Sequence, residues 1–269
     1  MRCFEFIPEG IDECKVTAWI HGNDTDKELK KRVRPAMIIC PGGGYGMVSE
    51  REAEPVAECY FAAGYQTFIV WYSVGEKAKD FRPLCQLAST IAHVRKHAEE
   101  WDVLPDKIAV SGFSAGGHLA CSLGTLFNEE RFLKAFGREE DIRPNAMVLN
   151  YPVIVADEFA HQGSIKNVSG EPVGSEGYKW FALDQHVDEQ TPPAFLWHTA
   201  EDQLVPVENS LRMATALSAV KVPFELHILP KGYHGMTVCT EGVGSKDDYN
   251  GRWVEWSIKW LNKVFDFVR

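Results

Sequence analysis

The chain has no C-x-x-C pair, no surplus of positive charge and no apolar run approaching the roughly 18 residues of a membrane span. Each absence excludes a class of function. Lys and Arg total 28 against 38 Asp and Glu, a net charge of −10, so the basic footprint of a nucleic-acid or anionic-membrane partner is missing. The seven cysteines are odd in number and widely scattered, which argues against zinc and dithiol chemistry and predicts free, mostly buried thiols. Glu5 and Pro8 interrupt the amino-terminal segment where a signal peptide needs an apolar core, so a soluble, cytoplasmic chain is expected. Repeats and low-complexity tracts are also lacking.

What is present is enough apolar material, 45% of 269 residues with 12% aromatic, to fill the core of one large α/β domain. Short β-branched and aromatic runs at 14–20, 36–40, 67–72, 107–111, 146–150, 194–198 and 224–229 alternate with helix-length segments. This alternation predicts a parallel sheet with helices on both faces. Residues 84–101 place Leu84, Leu87, Ala88, Ile91, Val94, Ala98 and Trp101 on one helical stripe. His93 and His97 then fall on the opposite, solvated side, without the Glu or third ligand of a metal site. A terminal helix is expected to close one face of the sheet through Trp253, Trp256, Trp260, Leu261 and Val264. The basic run of Lys30, Lys31, Arg32 and Arg34 reads as a solvated hairpin or loop. Residues 156–190, rich in Gly, Ser and charge, read either as a surface excursion or as an insertion that partly lids a pocket.

The chemistry is concentrated in Gly112-Phe113-Ser114-Ala115-Gly116, a G-x-S-x-G run between a buried strand and a helix of small residues. In that context it forms a nucleophile elbow, whose sharp turn needs glycine where a side chain would strike neighbouring backbone. A serine hydroxyl is a poor nucleophile at neutral pH, so a base and an orienting acid must follow in the order Ser, acid, His. Asp202, with Glu201 as its competitor, follows the strand at 194–198, and His234 follows the strand at 224–229 between Gly232 and Gly235. Pro41-Gly42-Gly43-Gly44-Tyr45 follows the strand at 36–40, where oxyanion donors are needed, so the amide of Ala115 with that of Gly43 or Gly44 is assigned to the oxyanion hole. The loop lacks the Lys-Ser/Thr that ends a Walker motif, which argues against nucleotide binding. His118 is expected to brace the elbow or the oxyanion loop, and His198 to order the acid loop. Tyr45, Phe113, Tyr233, Met236 and Trp180 are candidates for the wall of a substrate pocket.

With Arg51-Glu52-Ala53-Glu54-Pro55-Val56 and Tyr72-Ser73-Val74-Gly75, these motifs resemble the α/β-hydrolase superfamily, and within it the esterase/lipase-like proteins grouped with acetyl xylan esterases and other carbohydrate esterases. The resemblance covers nearly the whole chain. It implies an α/β-hydrolase fold with a mostly parallel central sheet of about eight strands, a Ser114, Asp202 and His234 triad, and ester hydrolysis with no cofactor and no metal. Many esterases of the superfamily carry His before the oxyanion glycines, where this chain has Pro41. The expected substrate is a small acetylated sugar such as a xylo-oligosaccharide; a small-molecule amidase or acylpeptide-type hydrolase and a general short-chain carboxylesterase stay open beside it. Dimers and larger homo-oligomers are both compatible with the sequence.

Overall fold

The computed structural model describes residues 1–22, 32–138 and 141–268. In chain order the elements are β1 (Arg2–Phe6), β2 (Lys15–Ile20), β3 (Arg34–Cys40), α1 (Glu54–Ala62), β4 (Gln66–Trp71), α2 (Arg82–Lys96), β5 (Val103–Phe113), α3 (Ala115–Leu126), α4 (Glu130–Phe136), β6 (Ala146–Asn150), α5 (Gln162–Ser169), α6 (Glu176–Lys179), β7 (Ala194–Thr199), α7 (Glu208–Ala219), β8 (Phe224–Leu229) and α8 (Arg252–Val264). One eight-stranded sheet has the order β1-β2-β4-β3-β5-β6-β7-β8. From β4 through β8 the neighbours pair parallel, and β1 and β2 pair antiparallel at one edge.

The period of two along each strand divides the core in two. On β3, Ala36, Ile38 and Cys40 enter one buried cluster while Met37 and Ile39 enter the other; on β7, Leu196 faces the first and Phe195 and Trp197 the second. Helices α2, α3 and α7 cover the first face, and α1 and α8 the second. Trp253 of α8 stacks on Trp197 at 5.4 Å between ring centroids, and neither is exposed. Burying a large side chain of this kind contributes about 2–3 kcal/mol, so α8 is anchored chiefly by this stripe. Val264, expected on the same stripe, is 38% exposed.

The amino-terminal strand β1 was not anticipated, and it changes the reading of the histidines on α2. Phe6 of β1 stacks on His93 at 4.6 Å, and His93 stacks on His97 at 4.2 Å, so these rings are packed rather than solvated. The helix expected to reach Trp101 ends at Lys96. Trp101 instead turns into the core against Phe4, Phe6 and Phe68. Tertiary contacts from β1 override the helical periodicity there. Among the basic run, Lys30 and Lys31 lie outside the described residues; the Arg32 guanidinium lies over the Phe267 ring at 5.4 Å, and Arg34 donates to the Gly64 carbonyl at 3.2 Å. Of the seven thiols, all free, Cys14, Cys40, Cys121 and Cys239 are buried and Cys3 is exposed. Among the described residues no helix is long and apolar enough to cross a membrane.

Candidate active site

The carboxyl ends of β3, β5, β6, β7 and β8 lie along one edge of the sheet, the place where open α/β folds build their ligand sites. At the tip of β5, Ser114 has φ 54° and ψ −118°, a strained conformation for a residue with a side chain. Two glycines make this turn sterically feasible. A Cβ on Gly112 would stand 2.1 Å from the Gly116 carbonyl oxygen, and one on Gly116 would stand 2.1 Å from the Cys40 carbonyl oxygen. The Ser114 N–H donates to the Asn150 carbonyl at 3.0 Å, tying the elbow to the end of β6.

The Ser114 hydroxyl donates to His234 Nε2 at 2.8 Å, and His234 Nδ1–H donates to Asp202 Oδ2 at 2.6 Å. The structure thus brings together residues from three loops in one hydrogen-bonded line. Asp202 is fixed from its other side, because Oδ1 accepts the N–H groups of Leu204 and Val205 at 3.0 and 2.9 Å. His198 Nε2–H lies 3.3 Å from Asp202 Oδ2 and donates to the Val205 carbonyl at 2.9 Å, while its Nδ1 accepts the Ser210 hydroxyl at 2.8 Å. His198 therefore orders the acid loop. Burial pushes the Asp202 carboxyl up, but hydrogen bonds from His198 and His234 outweigh it and hold the group well below the usual carboxylate range. Glu201 is exposed and makes no part of this line.

The glycine loop after β3 lies against the elbow, since a Cβ on Gly42 would stand 3.1 Å from Ser114 Cβ. Gly43 has φ 128° and Gly44 φ 65°, both in the region that favours glycine. Behind the loop, Glu52 is 5% exposed and accepts the Gly42 N–H at 2.8 Å and the Tyr151 hydroxyl at 2.7 Å. Burial raises the Glu52 carboxyl above its ordinary value, against the lowering pull of those two donors. Tyr151, the first residue after β6, sets its ring 5.0 Å from that of His234.

Residues 156–190 cover this loop from above. Asn167 Nδ2–H donates to the Gly44 carbonyl at 2.9 Å. His161, at the start of α5, accepts the Ser164 hydroxyl and N–H on Nδ1 at 2.8 and 3.3 Å, which leaves the proton on Nε2. Its Cε1 lies 3.8 Å from where a Gly44 Cβ would stand. Burial and the neighbouring His234 pull the His161 imidazole below its ordinary value. The same segment is pinned to α3, because His118 Nε2–H donates to the Phe181 carbonyl at 3.1 Å and its Nδ1 accepts the Tyr45 hydroxyl at 3.0 Å.

The residues expected to wall a pocket are not brought together as one. Tyr45 and Phe113 are unexposed and Met236 is 4% exposed; Tyr45 spends its hydroxyl on His118, and Phe113 packs against Tyr151 and Trp253. These three line the core, because the positive φ of Tyr45 (56°) and the inward face of β5 turn them away from the open edge. Trp180 packs edge-on against Phe81 at 5.4 Å, under the Arg131 guanidinium. Tyr233 alone among them is open, 54% exposed, in a cleft of about 1020 Å³ shared with Asp202, Leu204 and His234. Sequence reasoning missed Glu52, Tyr151, His161 and Asn167. Only Tyr151 carried a usable signal, its place directly after a predicted strand on the site edge.

Residues 25–217 match the BD-FAE family. An endo-1,4-β-xylanase B from Butyrivibrio fibrisolvens is 31% identical over 241 residues, covering 88% of the chain and 36% of that protein. An acetylxylan esterase from Xylanibacter ruminicola is 30% identical over 239 residues, covering 85% of the chain and 45% of that protein. The chain thus spans less than half the length of either curated relative. The crystal structure of an acetyl ester-xyloside bifunctional hydrolase from Caldicellulosiruptor lactoaceticus superposes with a TM-score of 0.82 at 35% identity, covering 95% of the chain and 89% of that one.

Proposed function

Because the chain belongs to the BD-FAE family and is a carboxylic-ester hydrolase of the α/β-hydrolase fold, we propose that it removes acetyl groups from small acetylated carbohydrates, such as xylo-oligosaccharides, through an acyl-enzyme on Ser114. The observation that carries the chemistry is the unbroken line from the Ser114 hydroxyl through His234 to Asp202. The sugar half of the reading rests on the names of the relatives.

Ser114 Oγ attacks the acetyl carbonyl while His234 Nε2 takes its proton, and the Asp202 carboxylate stabilises the imidazolium that forms. Negative charge on the former carbonyl oxygen is met by the amide N–H of Ala115 with that of Gly43 or Gly44. His234 returns the proton to the departing sugar hydroxyl. A water then gives its proton to His234 and attacks the acyl carbon, releasing acetate and restoring Ser114. Tyr233 stands at the rim where a sugar ring would approach. Residues 156–190 act as a partial lid on a single domain, with His161 and Asn167 of that lid meeting the oxyanion loop at Gly44.

Initial rates on p-nitrophenyl acetate, butyrate and octanoate, an acetylated xylobiose and an aryl acetamide, each with Ser114→Ala beside the parent, test the reading. Ser114-dependent release that is fastest from acetate and acetylated xylobiose is expected, with kcat about 10⁶-fold lower in the variant. Preference for the octanoate or the amide would overturn the substrate and leave the serine chemistry standing.

A further inference from the structure

Two loops that the proposed reaction needs in register are separated by most of the chain, and one buried carboxyl touches both. Glu52 Oε2 accepts the N–H of Gly42, the residue before the two oxyanion glycines, at 2.8 Å. Oε1 accepts the Tyr151 hydroxyl at 2.7 Å, and the Tyr151 oxygen accepts the N–H of Thr237 at 3.0 Å, three residues past His234. Arg51 reinforces the same join. Its guanidinium donates to the carbonyls of Gly235 and Val243 at 3.0 and 2.7 Å, and its own carbonyl accepts the Thr237 hydroxyl at 2.8 Å.

A buried carboxyl is costly to desolvate, so its retention here calls for a physical reason. The geometry supplies one. The Tyr151 oxygen already accepts from Thr237, which fixes its hydroxyl as a donor toward Glu52, and Gly42 offers only a donor. Two donors facing one side chain require an acceptor at both oxygens, which a carboxylate provides and a glutamine does not. We infer that Glu52 is a positioning residue that sets the oxyanion amides and the His234 imidazole at a fixed separation, by joining Gly42 to Thr237 through Tyr151. This rests on the proposed roles of Ser114 and His234. In a reaction whose charge moves between the imidazole and the oxyanion, a misplacement of about 1 Å between the two costs on the order of 10² in rate.

The test compares Glu52→Gln, Tyr151→Phe, the double variant and Ser114→Ala. For each, kcat and KM on p-nitrophenyl acetate, affinity for a trifluoromethyl ketone that adds to the serine as a tetrahedral adduct, and melting temperature are measured. Each single variant at the bridge is expected to lower kcat by about 10- to 100-fold with KM within about twofold, and to weaken the ketone by the same factor as kcat/KM. The double variant should be no worse than about the weaker single, because both changes break one relay. Folded Glu52→Gln with kcat within about twofold of the parent, or a loss confined to KM, or losses that multiply in the double variant, would overturn the inference. If Glu52→Gln does not fold, Tyr151→Phe decides by the same criteria. Activity surviving in Ser114→Ala would instead remove the underlying reading; an inactive Ser114→Ala beside unaffected bridge variants removes this inference alone.

Discussion

Tyr45 donates its hydroxyl to His118 Nδ1 at 3.0 Å with neither side chain exposed, so the glycine loop after β3 and the helix behind Ser114 share one buried hydrogen bond. The bond requires a neutral imidazole, and burial holds the His118 pKa down at about 4, against an ordinary 6.5. Below the ordinary value the unfolded chain takes up a proton that the folded one refuses. Stability is therefore present above about pH 6.5 and is lost as pH falls toward about 4, on the order of 3 kcal/mol from this one group. Urea unfolding at pH 7.5, 5.5 and 4.5 is expected to show a shallower acid loss in His118→Gln, whose amide meets the same two partners without titrating. Equal slopes in the two proteins would contradict it.

Asp202→Asn is expected to lower kcat by about 10³- to 10⁴-fold while KM changes little. Its amide would keep the acceptor toward Leu204 and Val205 but set an NH₂ against the donors of His234 and His198, turning the His234 imidazole to the tautomer that cannot accept the Ser114 proton. Steady-state kinetics of the folded variant measure this. A loss below about tenfold would mean that Asp202 orders its loop without orienting His234.

Gly116→Ala is predicted to fail structurally before it fails chemically. The new methyl would meet the carbonyl oxygens of Cys40 and Pro41 at 2.1 and 2.3 Å, both backbone atoms where β3 runs into the glycine loop. Relieving that overlap costs on the order of 3 kcal/mol. A denaturant midpoint unchanged from the parent would show that the elbow yields more readily than its packing implies.

His161→Ala should leave folding intact and change discrimination between substrates. The ring stands over Gly44 with its Nε2 proton unspent within the segment. Losing one neutral donor to a bound sugar or acyl group costs about 1 kcal/mol, so KM for acetylated xylobiose is expected to rise about fivefold, with p-nitrophenyl acetate little affected. Parallel changes on both substrates would place His161 outside sugar recognition.

That Ser114, Asp202 and His234 meet was legible because each sits in a local pattern with a geometric meaning: a glycine-flanked turn after a buried strand, or a loop that follows one. The strands themselves were legible residue for residue at β6 and β8. Glu52 was not, because Glu50, Glu52 and Glu54 look alike in sequence and only the fold buries one of them beneath Gly42. For Tyr45 the sequence leaves wall and packing both open, because an aromatic ring beside a functional loop points outward or inward according to backbone φ, which composition does not encode; the structure packs it inward. β1 escaped because its exposed residues blur the alternation on which strand assignment depends.

The distance along the chain between the partners is also an interval in time. His234 is made 120 residues after Ser114, and Val243, which receives Arg51, 192 residues after its donor. A growing polypeptide therefore carries Ser114 long before it carries His234, the base proposed to activate it. In the proposed mechanism hydrolytic competence arrives only once the loop after β8 has been synthesised and closed, which would leave an incomplete chain chemically silent however well its earlier strands have paired.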